Sequence, residues 1–247
     1  MNKNLYNFFW YRGKYFNFGD EIVPWLVEKI TNHKIDRPCE LTEKNILLSL
    51  GSVIKLANKN TTIWGTGIMR LSEQINQPKY IHSVRGHFSR QRLLSLGIDC
   101  PNFFGDPALI VKNYYDPETS VQYELGIIPH VVDFGKAYSQ YQNIENIKII
   151  DLKTNNIEKV ILDVKSCKKI ITSSLHGLII SILYDRPTRW VKFSDKLFGD
   201  NIKFYDFFSS IDPSIITGFD YKNIKSDNKH YNCLPLYDNI CLSLIHI

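Results

Sequence analysis

Short apolar runs alternate along the chain with segments whose apolar residues recur at helical spacing. Glycine and polar residues bound each run, which is typical of buried strands. We predict six of these strands, three in each half of the chain: 47–50, 62–65, 80–84, 124–130, 147–152 and 168–172.

Three helices are predicted beside these strands. Residues 21–31 have helical spacing and place Pro24 in the first turn, where proline is tolerated. Residues 156–167 repeat apolar side chains at i, i+3, i+4 and i+7, which indicates an amphipathic helix. Residues 174–185 are apolar nearly all round, so we expect a buried helix there.

Alternating strands and helices predict parallel sheets built from βαβ units. The polar, turn-rich stretch 111–122 separates the two sets of strands, and we place a domain boundary near residue 115. The fold class is therefore α/β, with two Rossmann-like halves at 1–115 and 116–241. Ligands of open α/β sheets bind beyond the carboxyl ends of the strands, so we expect the site in the cleft between the halves.

Composition narrows the classes of function. The 247 residues are 44% hydrophobic and 13% aromatic, which is enough to form a core. The net charge of +5 is spread along the chain, whereas nucleic-acid-binding proteins concentrate basic residues on one face. We therefore expect a weak attraction for anions and no nucleic-acid partner.

The cysteines and the apolar segments indicate a cytosolic protein. The cysteines are odd in number and widely spaced, so we predict reduced thiols and no metal site. They are Cys39, Cys100, Cys167, Cys233 and Cys241. No signal-peptide pattern begins the sequence, and no apolar run reaches the ~18 residues of a membrane span.

The last six residues, 242–247, read LSLIHI. This is the translation of the mosaic-end adapter used in transposase-based sequencing libraries. We expect these residues to be an artefact of sequencing and leave them out of the fold; the alternative is a native apolar tail.

Two stretches in the first half carry candidate anion-binding chemistry. Asn17, Gly19 and Asp20 precede a predicted helix, where Asp20 could cap the helix and free N–H groups attract anions; the alternative is a simple turn with an N-cap. Gly51 and Gly65 each follow an apolar strand, where a ligand could approach the backbone; the alternative is an ordinary βα turn.

Two further stretches carry charged or titratable groups. Arg85 ends a predicted strand, with Arg90 in the helix after it, and a guanidinium suits phosphate or carboxylate; the alternative is a surface arginine. Ser173 and Ser174 precede a buried helix whose first turn holds His176, which could transfer a proton near neutral pH. The alternative for His176 is a structural histidine beside the core.

Taken together, these stretches resemble the polysaccharide pyruvyl transferase family. Seven elements occur in the family's order and spacing, and they cover most of the chain from residue 17 to 211. They are NFGDEIVPWL (17–26), LGS with WGTGI, SVRGHFSR (83–90), GDPALI (105–110), IIPHVVD (127–133), SSLHGLIISILYDRP (173–187) and KFYDFFSSI (203–211).

The resemblance implies a GT-B-like fold with the active site in the interdomain cleft and a C-terminal return to the first domain. It implies phosphoenolpyruvate as the donor and a sugar with two suitably placed hydroxyls, often lipid-linked, as the acceptor. The product would be a pyruvate ketal on a bacterial exopolysaccharide, capsule or cell-wall precursor. Such an acceptor places the enzyme in the cytoplasm, including the inner face of the plasma membrane, in contact with glycan-assembly enzymes.

The resemblance also distributes roles among the candidate residues. His176 would be the general acid and Arg85 would hold phosphate or carboxylate, without a metal or other cofactor. The residues expected to bind substrate are Asn17, Gly19, Asp20, Gly51, Gly65, Arg90, Ser173 and Ser174, with Asp106 and His130 as neighbours at strand ends.

One position departs from the family pattern. Many members have arginine two residues before the motif histidine, where this chain has Ser174. The second anion contact is then unassigned among Arg90, Arg70 and Lys192. The alternatives to the whole interpretation are a GT-B glycosyltransferase that uses a nucleotide sugar and a non-catalytic glycan-binding paralogue.

Overall fold

The computed structural model describes residues 6–216. The suspected adapter segment at 242–247 lies outside the described residues, as do Cys233 and Cys241. In chain order the strands and α-helices are β1 (Asn7–Phe9), α1 (Phe18–Thr31), β2 (Ile46–Leu48), β3 (Thr61–Trp64), β4 (Tyr80–Ser83), α2 (His87–Ser95), β5 (Leu125–Ile128), α3 (Phe134–Tyr141), β6 (Ile147–Ile149), α4 (Ile157–Lys165), β7 (Ile170–Thr172), α5 (Leu175–Leu183), β8 (Thr188–Trp190) and α6 (Ile202–Ile211).

The described residues form two compact units that the chain enters more than once. The first unit contains residues 6–11, 33–107 and 198–216, and the second contains 12–32 and 108–197. The chain passes from the first unit to the second after residue 107 and returns to the first at residue 198, and α1 belongs to the second unit. The predicted division near residue 115, with a C-terminal return to the first domain, stays a prediction. Helix α1 packs against α4 and α5. These helices are far from α1 in the sequence, so no local pattern predicts the contact.

The first unit contains a four-stranded parallel sheet in the order β1-β2-β3-β4. Three of its strands were predicted, with ends that shift by one or two residues. The sequence analysis missed β1, because its three residues lie in an aromatic and polar segment without a clear apolar alternation. Helices α2 and α6 pack against each other in this unit.

The second unit contains a four-stranded parallel sheet in the order β6-β5-β7-β8. The chain passes from β5 to β6 on one side and then crosses back to β7 on the other side of β5. The strand order therefore reverses between β5 and β7, and the carboxyl ends of these two strands flank the crevice where open α/β sheets bind ligands.

Helix α1 begins three residues earlier than predicted. Asn17 is its N-cap, so the prediction that Asp20 caps this helix is wrong: Asp20 lies within the first turn. Pro24 lies in the second turn rather than the first, where the missing proline N–H leaves out one bond of the helix ladder. The helix ends at Asn32 in the left-handed conformation (φ 57°), which donates its N–H to the Glu28 carbonyl.

The other two predicted helices are confirmed as α4 and α5 with slightly tighter bounds. Besides β1, three strands or α-helices of the described chain were missed: α3, β8 and α6. Helix α3 has eight residues and β8 has three, so both are too short to stand out in the sequence. Helix α6 covers the motif stretch KFYDFFSSI, for which the sequence analysis predicts no secondary structure.

No helix in residues 6–216 is both long and apolar enough to cross a membrane. Cys39, Cys100 and Cys167 are free thiols. Burial raises the pKa of Cys100 and of Cys167 to about 11, so their reactive thiolate forms are scarce at neutral pH.

We predict that iodoacetamide at pH 8 labels Cys100 and Cys167 far more slowly in the folded protein than in urea, because a thiol of pKa about 11 is ionised in only about one molecule in a thousand at that pH. Peptide mapping by mass spectrometry measures the labelling of each site. Equal labelling rates in native and unfolded protein would contradict the burial of these side chains.

Candidate active site

A buried polar network lies at the carboxyl ends of β5 and β7. The Ser173 hydroxyl donates to Asp133 Oδ2 at 3.1 Å and accepts the His130 backbone N–H at 2.8 Å. Both Ser173 and Asp133 are almost fully buried, at 0% and 1% exposure. The Ser194 hydroxyl donates to the other carboxylate oxygen of Asp133. One carboxylate therefore ties together the segments that follow β5, β7 and β8.

Helix α5 begins next to this network. Ser174 is its N-cap, and the Ser174 hydroxyl accepts the Gly177 N–H at 3.3 Å. The Thr172 hydroxyl accepts the Ser174 N–H at 3.0 Å and donates to the Ile128 carbonyl at 2.8 Å, which fixes the strand-to-helix turn. His176 is the second residue of the helix and is half-buried.

Helix α1 begins in the same region of the second unit. The Asn17 side chain accepts the Gly19 N–H at 3.0 Å. The Phe18 N–H donates to the Leu152 carbonyl at 2.9 Å, and this bond fastens the helix start to the segment after β6. The start of α1 is thus held by its own cap and by the sheet.

The starts of α1 and α5 meet at Gly19 and His176. A Cβ atom placed on Gly19 would lie 2.0 Å from His176 Nδ1 and less than 3 Å from two carbons of the ring. Only glycine allows the imidazole to pack this closely on the helix backbone. Two helix amino-termini, each with a positive partial charge, therefore flank one imidazole, and such an arrangement favours an anion.

The structure thus brings together five of the residues singled out in the sequence: Asn17, Gly19, Ser173, Ser174 and His176. Asp20 lies half-buried in the first turn of α1. Three of the predicted residues already have structural partners, since Asn17 and Ser174 cap helices and Ser173 bonds Asp133. Their direct contact with substrate stays a prediction.

Arg85 lies in the core of the first unit. Its side chain and that of Asp206 are both 0% exposed, and Arg85 Nε and Nη2 each lie 3.0 Å from Asp206 Oδ2. Arg85 also donates to the Ser52 hydroxyl at 2.7 Å and to the Ile68 carbonyl at 2.7 Å. Because all three guanidinium nitrogens have protein acceptors, a substrate anion would have to displace one of them. The predicted anion contact of Arg85 stays a prediction.

Asp206 collects further donors from α2. Its Oδ1 accepts the Ser89 N–H at 2.8 Å, and its Oδ2 accepts the Ser89 hydroxyl at 2.6 Å. The Ser89 hydroxyl in turn accepts the Ile68 N–H at 2.9 Å. The Arg85–Asp206 pair and its hydrogen bonds therefore join α2, α6 and the turn after β3. Such bonds are expected, because a buried charge pair is stable only when further hydrogen bonds satisfy both groups.

The two glycines predicted as backbone contacts are turn residues with positive φ, 88° at Gly51 and 81° at Gly65. A Cβ on Gly65 would collide with the ring of Pro107 at 2.4 Å, so a proline of the same unit fills the space beside this glycine. The Gly51 carbonyl accepts the Thr66 hydroxyl at 2.8 Å and the Gly67 N–H at 3.1 Å. Ligand approach at these two positions stays a prediction.

The remaining cationic candidates are dispersed. Arg90 donates through Nε to the Cys100 carbonyl at 3.1 Å, and Lys192 forms an ion pair with Asp195. The Arg70 guanidinium lies 4.3 Å from the centre of the Phe198 ring. Asp106 is 2% exposed within the first unit. In the part of the chain that the structure describes, no group of three or more potential metal ligands occurs.

Sequence reasoning missed the two carboxylates that organise these regions. Asp133 ends the stretch IIPHVVD and Asp206 lies inside KFYDFFSSI, and neither received a role. The available signal was a single acidic residue inside an apolar segment, because burying a lone carboxylate requires nearby donors.

Comparison with known proteins agrees with this pattern of residues. The sequence profile of the family described as "Polysaccharide pyruvyl transferase" matches residues 4–195, which is most of the chain. The chain belongs to the polysaccharide pyruvyl transferase family. The matched region includes α1, α5 and the whole network around Asp133, and membership supports a pyruvyltransferase role on polysaccharide.

The family member is also similar to an uncharacterized protein of Acanthamoeba polyphaga mimivirus. The two are 34% identical over 201 residues, which cover 78% of this chain and 70% of the viral protein. No solved structure shows a significant match to the chain.

We predict that Asp206→Ala destabilises this polysaccharide pyruvyl transferase family member by about 3–5 kcal/mol, because it leaves the buried Arg85 charge uncompensated. Urea unfolding followed by circular dichroism measures the change. The control is Glu124→Ala, which breaks an exposed ion pair with Lys168 and should cost about 0–1 kcal/mol. Equal stability of Asp206→Ala and Glu124→Ala would contradict the interpretation of the buried pair.

We predict that Gly19→Ala forces the His176 ring out of its position and destabilises the fold by about 1–3 kcal/mol, because the new methyl group overlaps the imidazole. Urea unfolding and histidine side-chain NMR spectra measure the two effects. Gly135→Ala is the matched control: it lies in α3 with open space around its Cβ position and should stabilise the fold by about 0.4–1 kcal/mol. An unchanged His176 ring signal in Gly19→Ala would refute the close contact.

Proposed function

We propose that the chain transfers the pyruvyl group of phosphoenolpyruvate to two hydroxyls of a glycan sugar and forms a pyruvate ketal. The observation that carries this proposal is the convergence of the amino-termini of α1 and α5 on His176, in a chain that belongs to the polysaccharide pyruvyl transferase family. The proposal retains the GT-B-like architecture and the lipid-linked acceptor that the resemblance implies, and it requires no metal or other cofactor.

The donor matches the electrostatics of this site. Phosphoenolpyruvate carries a phosphate and a carboxylate, and both groups suit helix amino-termini, where backbone N–H groups and the helix dipole favour negative charge. The capping side chains of Asn17 and Ser174 hold the two helix starts in place. Donor binding in this proposal therefore depends on backbone groups more than on a single arginine.

His176 supplies the proton that starts the reaction. Its imidazolium protonates the methylene carbon of phosphoenolpyruvate, and the first sugar hydroxyl attacks C2 and returns its proton to His176. The C2–O bond to phosphate then breaks, and the second sugar hydroxyl forms the remaining C–O bond. The proton of that second hydroxyl leaves with the phosphate, so the products are the ketal and hydrogen phosphate.

Arg85 acts in this proposal as a positioning residue. Its guanidinium holds the Gly51 and Ile68 carbonyls and the Ser52 hydroxyl, which belong to the turns after β2 and β3. Asp133 has the corresponding role in the second unit, where it fixes Ser173 one residue before the cap of α5. Arg90, Arg70 and Lys192 remain the candidates for a further anion contact.

We predict that His176→Ala lowers the rate of phosphate release from phosphoenolpyruvate by about 10²–10⁴-fold, the usual contribution of a positioned general acid. A coupled phosphate assay with a panel of sugar acceptors measures the rate, and mass spectrometry detects the ketal as a mass increase on the acceptor. His82→Ala, which removes an exposed histidine of β4, is the control and should retain full activity.

The same assay separates this function from its rival. Each acceptor is also incubated with UDP-sugars in place of phosphoenolpyruvate, and released UDP is measured. Release of UDP without phosphate would identify a glycosyltransferase and refute the proposal. Equal rates for wild type and His176→Ala would remove His176 from the mechanism.

A further inference from the structure

Exposed aromatic rings and lysines gather beside the starts of the site helices. We define the aromatic–lysine platform as Tyr15, Phe134, Tyr138 and Lys153. Tyr15 and Tyr138 are 63% and 48% exposed, which is unusual for large aromatic side chains in one neighbourhood. Lys153 Nζ lies 5.8 Å from the centre of the Tyr15 ring and 5.5 Å from that of Phe134.

Three of the four platform members lie next to, or two residues from, a residue that builds the site. Tyr15 lies two residues before the cap Asn17, and Phe134 follows Asp133 directly. Lys153 follows Leu152, whose carbonyl accepts the first N–H of α1. The platform therefore lies on the segments that follow the carboxyl ends of β5 and β6 and lead into α1, on the edge of the sheet that carries His176.

The rings form a surface rather than a core. Phe134 and Tyr138 stack with centroids 5.7 Å apart and planes inclined by 25°, and they occupy the i and i+4 positions of one face of α3. The ammonium group of Lys153 lies near both the Phe134 ring and the Tyr15 ring, and Lys14 Nζ lies 5.4 Å from the centre of the Tyr15 ring. Flat apolar faces beside cationic groups match a ligand that has both C–H faces and negative charge.

We infer that the aromatic–lysine platform binds the acceptor as an anionic saccharide, with its sugar ring on the aromatic faces and its phosphate or carboxylate on Lys153 and Lys14. This inference rests on the proposed function and names the residues that hold its second substrate. Three lysines, Lys14, Lys136 and Lys153, lie on the segments that carry the platform. The acids nearest to them are already engaged: the Asp151 carboxylate accepts the Lys153 backbone N–H at 2.9 Å, and Asp195 forms an ion pair with Lys192.

A membrane surface is the other ligand that exposed aromatic and basic residues can contact, and the pattern of α3 argues against it. Helix α3 has only eight residues, and its apolar face consists of Phe134, Ala137, Tyr138 and Tyr141. Ala137 is buried and the Tyr141 ring packs against that of Phe193, so two rings of this face remain for a ligand. Binding to a bilayer interface grows with the apolar area that a helix buries there, and two rings supply little of it.

Binding is tested by isothermal titration of the full chain with glucose, galactose and mannose 1-phosphates. Each sugar phosphate is compared with its free hexose and with inorganic phosphate. We expect at least one hexose 1-phosphate to bind more tightly than either of its parts. Tyr15→Ala and Lys153→Gln should each weaken this binding by about tenfold, as expected for loss of a ring or a cation–ring contact.

Conservative and matched variants distinguish recognition from folding. Tyr15→Phe keeps the ring and should retain most of the affinity. Lys29→Gln is the control for Lys153→Gln, because Lys29 Nζ also lies over an aromatic ring, 5.2 Å from that of Trp25, but in the last turn of α1. It should leave the affinity unchanged.

Three results would overturn the platform: no binding of any hexose 1-phosphate, equal binding of inorganic phosphate, or equal affinity of wild type and Tyr15→Ala. The rings would instead contact a membrane if the wild-type protein sediments with vesicles of anionic phospholipid, Tyr15→Ala does not, and neither protein binds a sugar phosphate.

Failure of the platform and failure of the proposed function give different results. If the platform is wrong, Tyr15→Ala keeps the wild-type KM for the acceptor while phosphate is still released from phosphoenolpyruvate. If only the proposed function is wrong, sugar phosphate binds and depends on Tyr15, but no phosphate is released. The expected result is a raised acceptor KM with an unchanged KM for phosphoenolpyruvate.

Discussion

The close contact of Gly19 with the His176 imidazole is the constraint on which the second unit's site depends. Two helices can present their amino-termini to one ring only if one of them has no side chain at the contact, and Gly19 meets that need. The side chains of Asn17 and Ser174 then fix the two helix starts, because each accepts a backbone N–H from the first turn of its own helix. The position of His176 thus follows from backbone geometry, which is more rigid than a contact between two long side chains.

The first unit depends on a buried charge in a similar way. Removing Arg85 and Asp206 from water costs several kcal/mol per ion, and the pair persists because each group is bonded by further partners. Those partners come from the turns after β2 and β3 and from α2. Residues of four separate motif stretches, the LGS and WGTGI turns, SVRGHFSR and KFYDFFSSI, therefore meet in one network.

Local sequence predicted much of the fold because buried strands and helices leave clear apolar patterns. The six strands were predicted from short apolar runs bounded by glycine and polar residues, α4 from an amphipathic repeat, and α5 from a stretch that is apolar nearly all round. Helix α1 belongs to the second unit through its packing on α4 and α5 and through the bond from Phe18 to Leu152, which are 134 positions apart, and no local pattern indicates such contacts.

The candidate site was predictable to a similar extent. Asn17, Gly19, Ser173, Ser174 and His176 carry strong local signals, namely caps, a glycine and a histidine at strand-to-helix turns. Their meeting in one place is a tertiary contact, which the sequence indicated only through the strand-end rule for open α/β sheets and through the resemblance.

Arg85 shows the opposite case. Its position at the end of a strand suggested a ligand contact, but the Asp206 that neutralises it lies 121 residues further along. Sequence position alone does not distinguish an arginine that binds a substrate anion from one that forms an ion pair with a carboxylate of the protein.

Ser174 shows how the two roles of a helix start compete. A serine at the N-cap accepts an N–H of the first turn and contributes about 1 kcal/mol, whereas arginine has no acceptor and cannot replace that bond. An arginine at this position would also add positive charge to a positive helix terminus, which is unfavourable until an anion binds. The serine therefore stabilises the free protein, and the cationic contact has to come from another position. The platform proposed for the acceptor follows the same logic: its lysines lie beside Tyr15, outside the first turn of α5, so their charge does not weaken the start of that helix.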